Sequence, residues 1–139
     1  MTSDRMGRSY LAQAVYRLGE VGRAIRDAQY AVAVRWSQEA VGLALKAALR
    51  AAGVEPPRWH DVGEILLANR SRLHATLQEV ADRMAEISAD LRQDREAAFY
   101  GDEAAQFTPD DLYNEADARR AHADATFVVD HVRRALPDA

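Results

Sequence analysis

At 139 residues with no cysteine, the chain can bury a core without disulfide staples, and thiolate metal sites and cysteine nucleophiles are excluded. A net charge of −4 and a pI near 5.5 disfavour a general duplex-DNA binder, which carries a basic domain, but leave room for a local basic cleft. No apolar run approaches the ~20 residues needed to cross a membrane, and the start, MTSDRMGRSY, lacks a continuous apolar signal core. A single soluble, cytoplasmic domain over residues 1–139 is expected.

Alanine is abundant, Pro and Gly are few, and the apolar residues recur every three or four positions, so the chain reads as helix nearly throughout. Leu11, Ala14, Leu18, Val21 and Ile25 predict a first helix over roughly 5–27, with Gly19 and Gly22 inside it available for close packing of a neighbour. Tyr30, Val34, Val41, Leu45 and Ala48 mark a second over roughly 29–52, stopped by Gly53. Pro56 and Pro57 enforce an extended connection, and Asp61 caps a short helix running to about Asn69. Leu73, Leu77, Val80, Met84, Ile87 and Leu91 alternate steps of four and three, a two-position heptad seam that predicts one helix over roughly 71–99, ending at Gly101. Thr108, Pro109, Asp110 and Asp111 supply a cap, a first-turn proline and first-turn acids for a last helix. Val128, Val129, Val132 and Leu136 pack its far end, and Pro137 stops it. The expected fold class is all-α, an up-and-down bundle of four long helices plus one short helix.

Charged and titratable residues narrow the chemistry. Glu79, Asp82, Glu86, Asp90 and Asp94 form a carboxylate stripe of the kind that holds Mg²⁺ in all-helical pyrophosphatases. The stripe points away from the apolar seam, however, whereas divalent sites need carboxylates converging from several elements. A solvated outer face is the better reading. Residues three before His60, His74, His122 and His131 are Pro57, Ser71, Arg119 and Val128, so the Glu-x-x-His pairs of di-iron bundles are absent, as is any His-x-x-x-His zinc pair. No metal and no cofactor is expected. His60, between Trp59 and Asp61, reads either as a loop-fixing ring beside a helix cap or as a ligand contact. In the stretch LRQDREAAFYGDE, Arg92, Arg95, Glu96 and Phe99 share one helix face and Tyr100 lies near Arg92. Two guanidiniums one turn apart make either a phosphate clamp or partners for intrahelical salt bridges.

The run DAQYAVAVRWSQEAVGLALKAALRAAGVEPPRWHDVGEIL resembles the HEPN domain family (higher eukaryotes and prokaryotes nucleotide-binding). There an alanine-rich second helix is followed by Gly, a proline-containing loop and a His-Asp start to the next element. Tyr30, Ser37, Gln38, Glu39, Ala40, Leu45, Lys46, Gly53, His60 and Asp61 fit that pattern. The resemblance implies binding of a nucleotide or RNA, with Arg92, Arg95, Tyr100, His60 and Lys46 as the candidate phosphate- and ligand-binding residues. It also implies a homodimer, and a toxin–antitoxin-like pair with a nucleotidyltransferase (MNT-type) partner. Many family members are metal-independent ribonucleases with an Arg-x4-6-His motif, in which histidine is general acid/base and arginine bears on phosphate charge. None of the four histidines here has an arginine at that spacing; Tyr100 holds the histidine's spacing from Arg95. A phenol titrates near pH ~10 and is a hydrogen-bond donor rather than a base at neutral pH. Arg95 and Tyr100 are therefore catalytic candidates only for a non-standard ribonuclease, and Tyr100 matches the site where some partners attach AMP. A non-catalytic interaction bundle is the remaining alternative. The small-residue face Ala33, Ser37, Ala40, Ala44 and Ala48 serves either dimerisation or internal packing.

Overall fold

A computed structural model describes residues 2–56, 58 and 61–136. It contains α1 (Thr2–Arg26), α2 (Tyr30–Ala51), α3 (Val62–Ala68), α4 (Ala75–Gln78), α5 (Ala81–Tyr100), α6 (Pro109–Leu112) and α7 (Glu115–Ala135), with a single 3-10 turn at Arg70–Arg72. Among the described residues there is no strand, only an isolated bridge between Asp102 and Phe107. The four long helices and the short α3 of the expected all-α bundle are α1, α2, α5, α7 and α3. Pro57, Trp59 and His60 of the extended connection, and the Pro137 stop, lie outside the described residues.

Helix α2 is the hub, packed on α1, α3, α5 and α7. Its small side chains explain why: Ala33, Ser37, Ala40, Ala44 and Ala48 are all buried, so neighbouring backbones come close while Leu45 and Leu49 fill the space between. Ser37 satisfies its buried hydroxyl by donating to the Ala33 carbonyl at 2.8 Å. This face is taken up inside the chain and offers nothing to a second copy, which removes it as a dimer surface. Gly19 and Gly22 do not serve close packing either. A Cβ on Gly19 would meet nothing within 4 Å, and one on Gly22 only the Arg26 guanidinium at 3.8 Å. The close approach is at Gly63 instead, where a Cβ would stand 3.2 Å from the Ala85 backbone and so press α3 off α5.

Two predicted helices are broken. The seam expected to lie on one helix over 71–99 is divided by Leu73, whose backbone is extended (φ −72°, ψ 158°), and by Val80 (φ −111°). Side chains stabilise the break: His74 Nδ1 accepts from the Thr76 amide, and Gln78 Nε2 donates to the Leu73 carbonyl at 2.9 Å. Leu73, Leu77, Met84, Ile87 and Leu91 remain buried, so the break redirects the backbone and keeps the seam inside. The last helix is divided at Tyr113. Two successive capping boxes, Thr108 with Asp111 and Asn114 with Asp117, start α6 and then α7.

Backbone conformation at the two ends sets local stability. Gly101 ends α5 at φ 73°, ψ −154°, a region essentially reserved for glycine, and a Cβ there would sit 2.3 Å from the Phe107 carbonyl oxygen. Ala28 holds the left-handed conformation after α1 (φ 58°) without being glycine. Gly101→Ala is expected to cost about 1–3 kcal/mol or more, and Ala28→Gly to be neutral or stabilising by up to ~1 kcal/mol. Urea midpoints of the two variants against wild type check both signs.

Candidate nucleic-acid interface

Residues of α5 recur at steps of four, three and four on one face: Ser88, Arg92, Arg95 and Phe99. Facing them are Arg35, Gln38, Glu39, Gly42 and Lys46 of α2, all on its partly exposed side. Arg35 meets Phe99, its guanidinium carbon 4.4 Å from the ring centroid. Lys46 and Ser88, eleven residues away along each helix, line the same groove. The two helices thus run in opposite directions along its length. The start of α3 at Asp61, together with Arg58 and Arg17, completes a groove of ≈ 590 Å³. A second hollow of ≈ 360 Å³ adjoins it, lined by Arg92, Arg95, Glu96, Phe99 and Tyr100, so the two arginines form the shared ridge.

Five cations, Arg17, Lys46, Arg58, Arg92 and Arg95, line the groove against two carboxylates, Glu39 and Asp61. Arg17 is committed: it pairs with Glu20 at 2.7 Å and Glu39 at 3.2 Å and lies over the Trp36 ring. Arg92 reaches Asp61 only at 3.9 Å, and Asp61 already accepts from the Gly63 amide at 2.9 Å as the cap of α3. Lys46, Arg58 and Arg95 have no ion-pair partner among the described residues. Glu96 neutralises neither arginine of its own helix, so the intrahelical salt-bridge reading of this corner does not describe it. What remains is uncompensated positive charge in a concave site, the arrangement that focuses attraction on an anion.

Of the sequence candidates, the structure brings Lys46, Arg92 and Arg95 into the groove and Tyr100 beside them; His60 lies outside the described residues, between Arg58 and Asp61 in sequence. Arg17, Arg35, Arg58 and Ser88 carry no signal in the sequence pattern. Nothing local marks them, because they meet only when α1, α2 and α5 are assembled.

The family model for the HEPN domain matches residues 8–135. The chain belongs to the HEPN domain family. This membership supports a helical nucleotide- or RNA-binding module, and the basic groove lies within the matched span. No curated protein and no solved structure matched the chain.

The three described histidines of this HEPN domain do not line the groove. His74 caps α4. His131 Nδ1 donates to the Phe127 carbonyl at 2.7 Å, with its ring against Phe127. His122 is half-buried, and burial followed by the nearby Arg119 charge holds its pKa below the usual histidine value. Glu79, Asp82, Glu86 and Asp90 of the carboxylate stripe are exposed, whereas Asp94 is half-buried against Tyr113. Asp82 pairs with Arg70 and Glu86 with Arg83, and no cluster of three His, Asp or Glu residues able to hold a metal occurs among the described residues. A separate cleft of ≈ 350 Å³ between α5 and α7 carries Asp90, Asp94, Asp117 and Asp124 around Tyr113, with Asp117 paired to Arg120, which also lines it, and Asp124 paired to Arg83.

Tyr113 donates its hydroxyl to Asp94 Oδ1 at 3.1 Å and ties the α6–α7 corner to α5. Burial, then the Asp94 charge and hydrogen bond, then Asp117, push its phenol pKa well above the ordinary value. A pKa raised on folding gives stability that is fully present below the unfolded value of ~10 and is lost as pH rises beyond it. Tyr113→Phe should cost roughly 0.5–1.5 kcal/mol at neutral pH. Between about pH 9 and 11 its urea midpoint should fall less steeply than that of wild type.

Proposed function

We propose that this HEPN domain binds the phosphate of a nucleotide or RNA in the groove between α2 and α5, with Arg92 and Arg95 as the clamp and Lys46 and Arg58 as further cationic contacts. The observation that carries this reading is the convergence of Lys46, Arg58 and Arg95, each without an ion-pair partner among the described residues, in one concave site. Guanidiniums one turn apart present forked donors to phosphate oxygens, and charge-assisted bonds of this kind are worth roughly twice a neutral one.

The same reading extends to a toxin–antitoxin-like pair with a nucleotidyltransferase and to a homodimer of the kind the family forms. Support for the pairing is the exposure of Tyr100, 57 %, which leaves its hydroxyl accessible to a modifying partner. A homodimer would use a surface other than the alanine face of α2, which is buried. Binding without chemistry is favoured over ribonuclease action, because none of the described histidines lines the groove to serve as general acid/base.

Arg92→Ala and Arg95→Ala should each weaken binding of a labelled RNA oligonucleotide by about tenfold to a hundredfold in fluorescence anisotropy, for loss of one or two charge-assisted contacts of roughly 1.5–3 kcal/mol. Circular dichroism should be unchanged, since both side chains are exposed. Binding insensitive to both substitutions would overturn the reading. RNA cleavage in EDTA that is abolished by Arg95→Ala would move the function to a metal-independent ribonuclease with a non-standard site.

A further inference from the structure

We infer that the groove and the aromatic hollow form one continuous track for a single-stranded nucleic acid of several nucleotides, with phosphates lying over Gly42 and bases stacked on Phe99 and Tyr100. The inference rests on the phosphate-binding reading above and specifies its ligand.

Length is the first ground. From Lys46 to Arg35 on α2, and from Ser88 to Phe99 on α5, is eleven residues, about 16 Å at the helical rise. A stacked strand advances about 3.4 Å per nucleotide, so a single nucleotide leaves most of the track unused. Arg92 and Arg95 line both the groove and the hollow, so the two parts adjoin along one ridge of guanidiniums that a strand would cross.

The second ground is the exposed aromatic pair at one end. Phe99 is 50 % and Tyr100 57 % exposed, with ring centroids 4.5 Å apart, although the bundle core lies one turn away. Arg35 holds Phe99 in place from α2. Aromatic surface beside cations that track a backbone is how single strands are bound without sequence readout. A duplex has its base faces already stacked and cannot use it.

Gly42 is the third. It sits in the middle of an alanine-rich helix, where glycine costs roughly 0.5–1 kcal/mol relative to alanine, and a Cβ there would meet nothing within 4 Å. No intramolecular contact needs the missing side chain. Gly42 lines the groove between Gln38 and Lys46, so what its absence keeps clear is the floor of the track.

The test measures anisotropy of a six-nucleotide RNA, the DNA of the same sequence and the corresponding duplex, with AMP as a competitor, at one fixed salt concentration. The single strands should bind at least tenfold more tightly than AMP or the duplex; equal binding of RNA and DNA would mean that backbone and base faces alone are read, and tighter RNA binding that the 2′-hydroxyl contributes, each within the track. Phe99→Ala and Tyr100→Ala should each lower single-strand affinity about fivefold to a hundredfold. Gly42→Leu should keep or raise the urea midpoint yet weaken the single strand tenfold or more, whereas Gly19→Ala should raise the midpoint and leave binding alone. Single strands no tighter than AMP, or affinity indifferent to Phe99→Ala and Gly42→Leu while Arg92→Ala still weakens it, would overturn the track and leave a mononucleotide site. Indifference to Arg92→Ala and Arg95→Ala as well would overturn the phosphate reading itself.

Discussion

Everything in this molecule depends on how closely other helices approach α2. Its alanines let α1, α5 and α7 close around it, and a helix surrounded on most sides must bury its backbone polar groups in its own hydrogen bonds and leave side chains of little volume between backbones. Replacing such an alanine by anything larger would force neighbours apart, at a cost typical of overpacked cores, about 1–3 kcal/mol. The same closeness produces the groove. The part of α2 that escapes burial and the facing surface of α5 carry two of the unpaired cations, Lys46 and Arg95, and Arg58 joins them from the connection before α3.

Much of the fold was legible because burial and capping are written in local spacing. The seam from Leu73 to Leu91 alternates steps of four and three, and its residues are buried whether or not the backbone is continuous, since periodicity reports which side faces inward. The breaks were less legible. His74 and Gln78 divide the predicted helix through side-chain bonds to backbone, and nothing in the apolar pattern encodes them. Asn114 and Asp117 were readable as a second capping box, but the stronger Thr-Pro-Asp-Asp signal just before them concealed it. Gly19 and Gly22 show the opposite error, in which residue type invited a packing role that the tertiary arrangement does not use.

The site divides in the same way. Arg92, Arg95 and Tyr100 were visible as a corner because helix geometry alone places them on adjacent faces. Whether they were a clamp or a set of salt bridges could not be read locally, because the answer lies in what Glu96 and Asp61 do in three dimensions. Asp61 is drawn off by the α3 amide, and Glu96 lines the hollow without forming an ion pair to either arginine, which leaves Arg95 unneutralised. Arg17 and Arg58 come from elements whose relation to α5 no spacing rule predicts. Arg17 in turn is neutralised by Glu20 and Glu39, so it contributes shape and rigidity to the wall more than free charge.

The charge layout also argues for direction. The chain carries −4 overall while the groove lining is positive by three, so the rest of the surface is more negative still. Under the proposed reading, a polyanion is drawn toward the groove more than toward the net-negative remainder of the surface. That arrangement favours a narrow ligand over a broad one. A duplex presents charge on all sides and must bring some of it against the acidic surfaces of α5 and α7, where Asp90, Asp94, Asp117 and Asp124 crowd around Tyr113. A single strand can lie in the groove and touch none of them. Under the single-strand proposal, the carboxylates of this cleft disfavour orientations that bring phosphates onto α7.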